Sequence, residues 1–290
     1  MVPAMNENKT PPPAAPTNPI VVIPSRLASM RLPDKPLADI HGVPMIVHVW
    51  RRAMEADAGP VIVACADFQI IDAVKDAGGD AIYTNPNHAS GSDRVFEALH
   101  TVDPLKKHDC VINLQGDLPT IDPEAVKASL LPLANGDVDI ATLVSPITDE
   151  AELDDPNVVK AVLSMDEGAR TARALYFSRA PIPCDRDLAL AMACDNKDGA
   201  SLDIDPKPPK AAYRHLGLYA YRVSLLQQFV AWPQTPLEQL ESLEQLRVLE
   251  NGKLIAIAEA ACQLPAGVDT QEDLDRLNAM SLADFQNPAK

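Results

Sequence analysis

Three cations crowd one short stretch of this chain. Arg26, Arg31 and Lys35 lie within Pro24-Ser25-Arg26-Leu27-Ala28-Ser29-Met30-Arg31-Leu32-Pro33-Asp34-Lys35-Pro36, directly after the apolar run Ile20-Val21-Val22-Ile23. The arginines offer planar forks and the lysine a point charge, the mixture that neutralises a polyphosphate. Prolines stiffen the stretch, which suits a fixed cradle better than a loose charged arm. The residues alone equally allow a solvated basic loop, and neither GxxxxGK[ST] nor GxGxxG occurs in the chain.

Carboxylates at two other places carry the complementary chemistry. Asp117 ends Cys110-Val111-Ile112-Asn113-Leu114-Gln115-Gly116-Asp117, where the glycine lets the backbone turn closely. Magnesium takes one or two protein carboxylates and completes its shell with phosphate and water, so Asp117 suits that ion. Asp269, in Gly267-Val268-Asp269-Thr270-Gln271-Glu272-Asp273-Leu274, is a second candidate. Spacing alone favours Asp269 or Thr270 as a helix cap instead. Ser90-Gly91-Ser92-Asp93-Arg94 either holds a nucleoside through hydroxyls and amides or simply starts a helix. His215 has no Cys or His at ligand spacing and by itself reads as structural.

The elements that must position these groups alternate strand and helix. The run Ile20–Ile23 has the continuous apolar character of a strand buried on both faces of a parallel sheet. A helix is expected from Pro44 to about Ala56, a strand over Val61–Ala64, and a helix from Phe68 to Ala77 that stops at Gly78-Gly79. Ala81–Tyr83 and Cys110–Leu114 are further strands, with a helix over Ser92–His100 between them. This order predicts an α/β fold with a doubly wound, mainly parallel sheet, whose ligands bind beyond the carboxyl ends of the strands. Runs at Asp139–Val144, Val158–Leu163 and Leu175–Phe177 suggest a smaller antiparallel lobe, at about 145–222. Residues 185–212 are polar and Pro-rich and read as a mobile loop. One strong helix is expected over 236–251, with Leu237, Leu240, Leu243 and Leu246 buried and Glu238, Glu241 and Glu244 on a solvated face. Leu254–Ala258 reads as a last strand and 270–279 as a final helix.

The 290 residues suffice for one large domain over 19–290, and the Pro/Ala-rich start, 1–18, reads as a disordered leader. A formal net charge of −16 argues against a nucleic-acid partner, which needs a basic stripe. No apolar run reaches the roughly 18 residues of a membrane span. Five cysteines without paired CxxC spacing predict free, mostly buried thiols in a reducing, cytoplasmic setting and no zinc site.

Together, IPSRLASMRLPDKPLADIHGVPMIVHV, HASGSDR, NLQGDLP, LYFSRAPIP, RHLGLYAYR, LEQLESLEQLRVLENG and GVDTQEDL resemble the 3-deoxy-manno-octulosonate (Kdo) cytidylyltransferases, from about residue 20 to 280. The resemblance implies a nucleotide-diphospho-sugar transferase type of fold, usually a homodimer. It implies transfer of CMP from CTP to the anomeric hydroxyl of Kdo with release of pyrophosphate, serving lipopolysaccharide synthesis. A cytidylyltransferase for 8-amino-Kdo or sialic acid, and a non-catalytic nucleotide-binding relative, are the alternatives. By the same resemblance Arg26, Ser29, Arg31 and Lys35 belong to the CTP phosphate site, and Ser92 and Arg94 to the nucleotide-binding turn. Asp117 and Asp269 become Mg²⁺ ligands. Gln115, Arg179, His215, Tyr219, Glu244 and Gln245 line the sugar pocket, with Arg179 pairing the sugar carboxylate. Gln115 also borders the nucleotide, and Arg26, Lys35, Asp117 and Asp269 form the catalytic set. The chain departs from the family pattern at Asp34, usually Gly before the lysine, at Leu118, usually Glu after the metal Asp, and near Ala66, usually Thr.

Overall fold

The computed structural model describes residues 14–28, 31–165, 169–187, 190, 212–260 and 267–286. Its first half runs β1 (Pro19–Ser25), β2 (Asp39–Ile40), β3 (Val43–Pro44), α1 (Met45–Glu55), β4 (Val61–Cys65), α2 (Phe68–Asp76), β5 (Asp80–Tyr83), α3 (Gly91–Val102) and β6 (Cys110–Asn113). Then follow α4 (Pro123–Ala128), β7 (Ile140–Pro146), α5 (Glu150–Asp154), β8 (Lys160–Ser164), β9 (Thr171–Ser178) and β10 (Tyr213–Arg222). The last part holds α6 (Val223–Ala231), α7 (Pro236–Glu241), α8 (Leu246–Glu250), β11 (Ile255–Glu259), α9 (Gln271–Ala279) and α10 (Leu282–Gln286).

The apolar run of β1 is the axis of the fold. It pairs in parallel with β4 on one side and β6 on the other. Its alternate residues feed two cores: Val21 and Ile23 pack with Ile46, Val47 and Val49 of α1, while Ile20 and Val22 pack with Val95 and Leu99 of α3. Burying both faces is what makes the run continuously apolar rather than alternating. Each fully buried Val or Ile contributes about 1.5–3 kcal/mol.

The complete sheet has the order β5-β4-β1-β6-β10-β7-β11-β9-β8. β10 enters antiparallel to both β6 and β7, and β11 restores the parallel direction beside β7. The antiparallel strands expected in the second half are hydrogen-bonded into this same sheet. β8 pairs β9 and also the start of β10, at Tyr213–Ala161 and Arg214–Lys160, so β10, β7, β11, β9 and β8 close upon one another.

Two expectations change. The leader is held from Ala14 onward: Thr17 and Asn18 donate backbone N–H to Asp109, and Ala14 gives its carbonyl to Arg222. The helix expected over 236–251 is broken into α7 and α8 by Ser242, which takes a left-handed φ of 54°. The cause is an internal ion pair between Glu238 and Arg247. At 3.6 residues per turn, an offset of nine places two side chains on opposite faces of one continuous helix. The break lets them meet. It also overturns the stripe: Leu240 is 81% exposed and Glu238 only 3%. Most of the loop at 185–212 lies outside the described residues.

Candidate active site

A cavity of about 560 Å³ opens beyond the carboxyl ends of β1 and β6, and Arg26, Arg31, Lys35, Arg94, Asp117 and Asp269 line it. The loop after β1 is fixed at several points. Leu27 N–H donates to Asp67 Oδ2 at 2.8 Å, and Leu32 is buried with Val268, Leu274 and Phe285. Lys35 begins a single 3-10 turn, Lys35–Leu37, with Pro36 buried inside it. Asp34 precedes that turn at φ 52°, the left-handed region where a glycine costs least. Gly116 serves for a different reason: a Cβ there would lie 3.0 Å from the Pro24 carbonyl oxygen, so a side chain would have to push the end of β1 away. Ser29, a sequence candidate, lies outside the described residues.

Asp117 and Asp269 converge although they are far apart in the chain. Val268 N–H donates to the Asp117 carbonyl at 3.0 Å, which carries Asp269 alongside. Spacing favoured a cap somewhere in this segment, and the structure gives it to one of two neighbours. Thr270 is the cap of α9, in a reciprocal box with Asp273, while the Asp269 carboxylate points into the cavity. Lys35 Nζ lies 2.8 Å from Asp117 Oδ2 and 2.8 Å from Asp269 Oδ1, and Arg31 reaches Asp269 at 3.1 Å. Burial alone would lower the Lys35 pKa, but the charges and hydrogen bonds of both aspartates outweigh it and hold it above its ordinary value.

The turn before α3 also serves twice. Ser90 caps the helix in a reciprocal box with Asp93. Ser92 and Arg94 are buried in the first turn that follows, Ser92 lining a neighbouring cavity and Arg94 the first, where it donates to Thr84 Oγ1. Burial, then the nearby Arg26, lower the Arg94 pKa. Ser92 Oγ donates to Glu244 Oε2 at 2.8 Å. Burial raises the Glu244 pKa against that hydrogen bond.

A second cavity of about 400 Å³ adjoins the first, and the two share Gly91, Gln115 and Glu244. His215, Tyr219 and Gln245 line it, as the family pattern implies. His215 packs against Phe177 and Tyr219, and burial drives its pKa down to about 3. Its Nε2 is 2.9 Å from Thr142 Oγ1, whose single hydroxyl proton is directed at the carbonyls of Leu218 and Leu216. That assigns the ring proton to Nε2 and leaves Nδ1 as an acceptor. The Gln245 amide nitrogen is buried with no protein partner.

Arg179 stands apart from this cavity. Its guanidinium donates to the carbonyls of Glu241, Pro156 and Ser242, and its backbone N–H to Glu241 Oε2, so it braces the break after α7. Arg214, which sequence reasoning did not single out, lines the cavity instead, with NH1 on Glu152 at 3.0 Å. Leu118 gives the wall an apolar side chain beside Ile121. Two other residues were missed. Asp67 anchors the cationic loop, and Ser25 lines the first cavity at 7% exposure with its hydroxyl unpartnered among protein atoms. Both sit at carboxyl ends of strands, the signal that would have found them.

Two hard oxygen donors beside a cationic cradle fit magnesium, which fills its remaining positions from phosphate and water. Among the described residues no group of three or more His, Cys, Asp or Glu is arranged to hold a metal by itself. Cys65 and Cys110 are buried thiols pushed up to about 11 and about 12, and Cys184 is exposed; Cys194 and Cys262 fall outside the described residues. Among the described residues no helix is long and apolar enough to cross a membrane.

Residues 20–255 match the family model described as Cytidylyltransferase. The chain belongs to the cytidylyltransferase family. This cytidylyltransferase is 53% identical over 267 residues to the 3-deoxy-manno-octulosonate cytidylyltransferase of Rhodospirillum centenum, covering 92% of this chain and 95% of that one. It is 54% identical over 271 residues to the protein of the same name from Psychrobacter cryohalolentis, covering 92% and 96%. Among solved structures it resembles a CMP:2-keto-3-deoxy-manno-octonic acid synthetase complexed with CTP, with TM-score 0.76, 37% identity and coverage of 91% of this chain and 98% of that one. A 4-diphosphocytidyl-2C-methyl-D-erythritol synthase from Anaerococcus prevotii, at TM-score 0.56 and 13% identity, shares the fold.

Proposed function

We propose that this cytidylyltransferase transfers CMP from CTP to the anomeric hydroxyl of 3-deoxy-manno-octulosonate, releasing pyrophosphate. The observation that carries the reading is the adjoining pair of cavities. One is lined by Arg26, Arg31, Lys35 and Arg94 with the carboxylates of Asp117 and Asp269, the other mainly by neutral hydrogen-bonding groups with one cation, Arg214, and Gln115 and Glu244 border both. The names of the relatives and of the CTP-bound neighbour support the same reading.

In this reading the chain's work is positioning and charge neutralisation, which dominate phosphoryl-type transfer. Arg26, Arg31 and Lys35 hold the triphosphate and offset the charge of the leaving pyrophosphate. Ser92 and Arg94 seat the nucleoside. His215 accepts from a sugar hydroxyl at Nδ1, and Gln245 offers it an amide. Arg214, the cation of the second cavity and already paired with Glu152, would meet the sugar carboxylate, the role expected for Arg179. Asp117 and Asp269 would hold Mg²⁺, which supplies Lewis-acid polarisation when bound. A homodimer in the cytoplasm is the expected setting, and exposed apolar side chains such as Leu175 on β9 support an assembly contact there.

The test is pyrophosphate release with CTP, Mg²⁺ and 3-deoxy-manno-octulosonate, run beside 8-amino-Kdo and sialic acid. Release that needs this sugar and stops with EDTA is expected. Asp117→Asn, still folded by circular dichroism, is expected to abolish it. A folded, fully active Asp117→Asn protein would overturn the metal assignment.

A further inference from the structure

We propose that Lys35 is the resident counter-ion of Asp117 and Asp269, and that it withholds this pair from divalent metal until a nucleotide's phosphates draw its ammonium away. The inference rests on the nucleotide and metal reading above and gives Lys35 a role before any substrate arrives. Its nitrogen is 2.8 Å from one oxygen of each carboxylate, so a single cation already satisfies both. The side chain is 13% exposed, whereas the aspartates are 33% and 45% exposed. The lysine is therefore the enclosed partner, held between two carboxylates that open toward solvent.

A metal ion reaching Asp117 and Asp269 must take oxygens that a positive charge occupies at contact distance. Arg31 adds a second positive charge at 3.1 Å from Asp269, but that pair is open to solvent and weak. The Lys35 backbone does not take part in the exchange. Its N–H donates to the Leu32 carbonyl, its own carbonyl accepts from Ala38, and Pro36 is buried beside it. Only the flexible four-carbon stem has to swing, and an ammonium can move between oxygen partners where a guanidinium fork would lose its geometry. The cavity offers the alternative partner. A triphosphate seated on Arg26 and Arg31 lies within the same walls as Lys35, and drawing the ammonium toward it uncovers both carboxylates together. Nucleotide binding thereby builds the metal site, and metal is captured with or after CTP, not before it. Lys35 is in this sense a positioning residue for the two aspartates as well as a phosphate ligand.

The experiment is Mn²⁺ titration of the nucleotide-free full chain, read by the electron paramagnetic resonance signal of free Mn²⁺. The wild-type protein is expected to bind Mn²⁺ weakly. Lys35→Met, which keeps the stem and removes the charge, is expected to bind it about tenfold tighter or more, the scale of one contact charge removed from a partly buried pair. Lys35→Gln repeats the test should the methionine variant misfold. Adding Asp117→Asn to Lys35→Met is expected to abolish the gain. Equal Mn²⁺ affinity in wild type and both Lys35 variants would overturn the proposal, as would a gain that survives loss of Asp117. If the wild type also turns over CTP and the sugar with Mg²⁺, only this proposal falls. If it shows no metal-dependent turnover at all, the function reading falls with it.

Discussion

Arg247 closes a bidentate ion pair with Glu238 inside the protein, its Nε 2.8 Å from Oε2 and its NH2 on Oε1. The same guanidinium stacks 4.4 Å from the centroid of the Phe229 ring and donates to the Phe229 carbonyl. Glu238 also accepts from Thr235 N–H and so caps α7. The pair ties α6, α7 and α8 together and shapes the break that presents Glu244 and Gln245 to the cavities. Glu238→Gln leaves a buried guanidinium without its charge partner and is expected to cost about 3–5 kcal/mol of unfolding free energy. Urea denaturation measures it, and a loss near zero would remove the pair from the fold's supports.

Ser25 makes a prediction whose two parts have opposite signs. A buried hydroxyl without a protein partner is a standing cost, so Ser25→Ala is expected to stabilise the nucleotide-free protein by about 1 kcal/mol. If the hydroxyl meets the nucleotide, the same change weakens CTP binding about fivefold, one net hydrogen bond. Thermal melts with and without CTP read both: a higher baseline melting temperature and a smaller shift on adding CTP. An unchanged CTP shift would free Ser25 from the nucleotide site.

Asp34→Gly tests a departure from the family pattern. The substitution relieves a left-handed Asp and removes a negative charge next to Lys35, while glycine costs unfolded-chain entropy. The stability terms are each about 1 kcal/mol and opposed, so little net change is expected. The charge term acts on the nucleotide alone. KM for CTP is expected to fall about twofold at low salt and to converge with wild type as salt screens the site. A higher KM would mean that Asp34 assists binding.

His215 makes a pH prediction. Its folded-state pKa is lowered from 6.5 to about 3, so the unfolded chain takes up a proton that the native state refuses. Above pH 6.5 both states are neutral and the residue adds no slope. As pH falls from 6.5 toward 3, stability is lost at about 1.4 kcal/mol per unit. Comparing urea denaturation of wild type and His215→Gln at several pH values across that window isolates the effect. Parallel curves for the two proteins would refute the buried neutral state.

The parts of the site carried by β1 and β6 were legible because continuous apolar strands announce themselves and their next residues must lie at the ligand edge. The segment at Asp269 was ambiguous for a physical reason: the capping residue and the cavity carboxylate are neighbours, and both roles use the same residue types. The helix over 236–251 misled because a leucine at every third position suits two short helices as well as one long one. Only the contact between Glu238 and Arg247 decides between them. Arg179 lies away from the cavity it was expected to line, and Arg214 was overlooked, for a similar reason. Sequence shows that an arginine is present, but not whether its fork is already committed to backbone carbonyls.

The link from Val268 N–H to the Asp117 carbonyl has a consequence for synthesis. Asp117 belongs to the first half of the chain and Asp269 nearly to its end, and Leu32 of the cationic loop is buried only once Val268, Leu274 and Phe285 arrive. A ribosome-bound chain that has made all of β1 to β10 therefore still lacks one of the two aspartates and the packing that fixes the cationic loop. The two carboxylates and the packing of the cationic loop come together in one late event, when residues 268–285 dock against a sheet made before them.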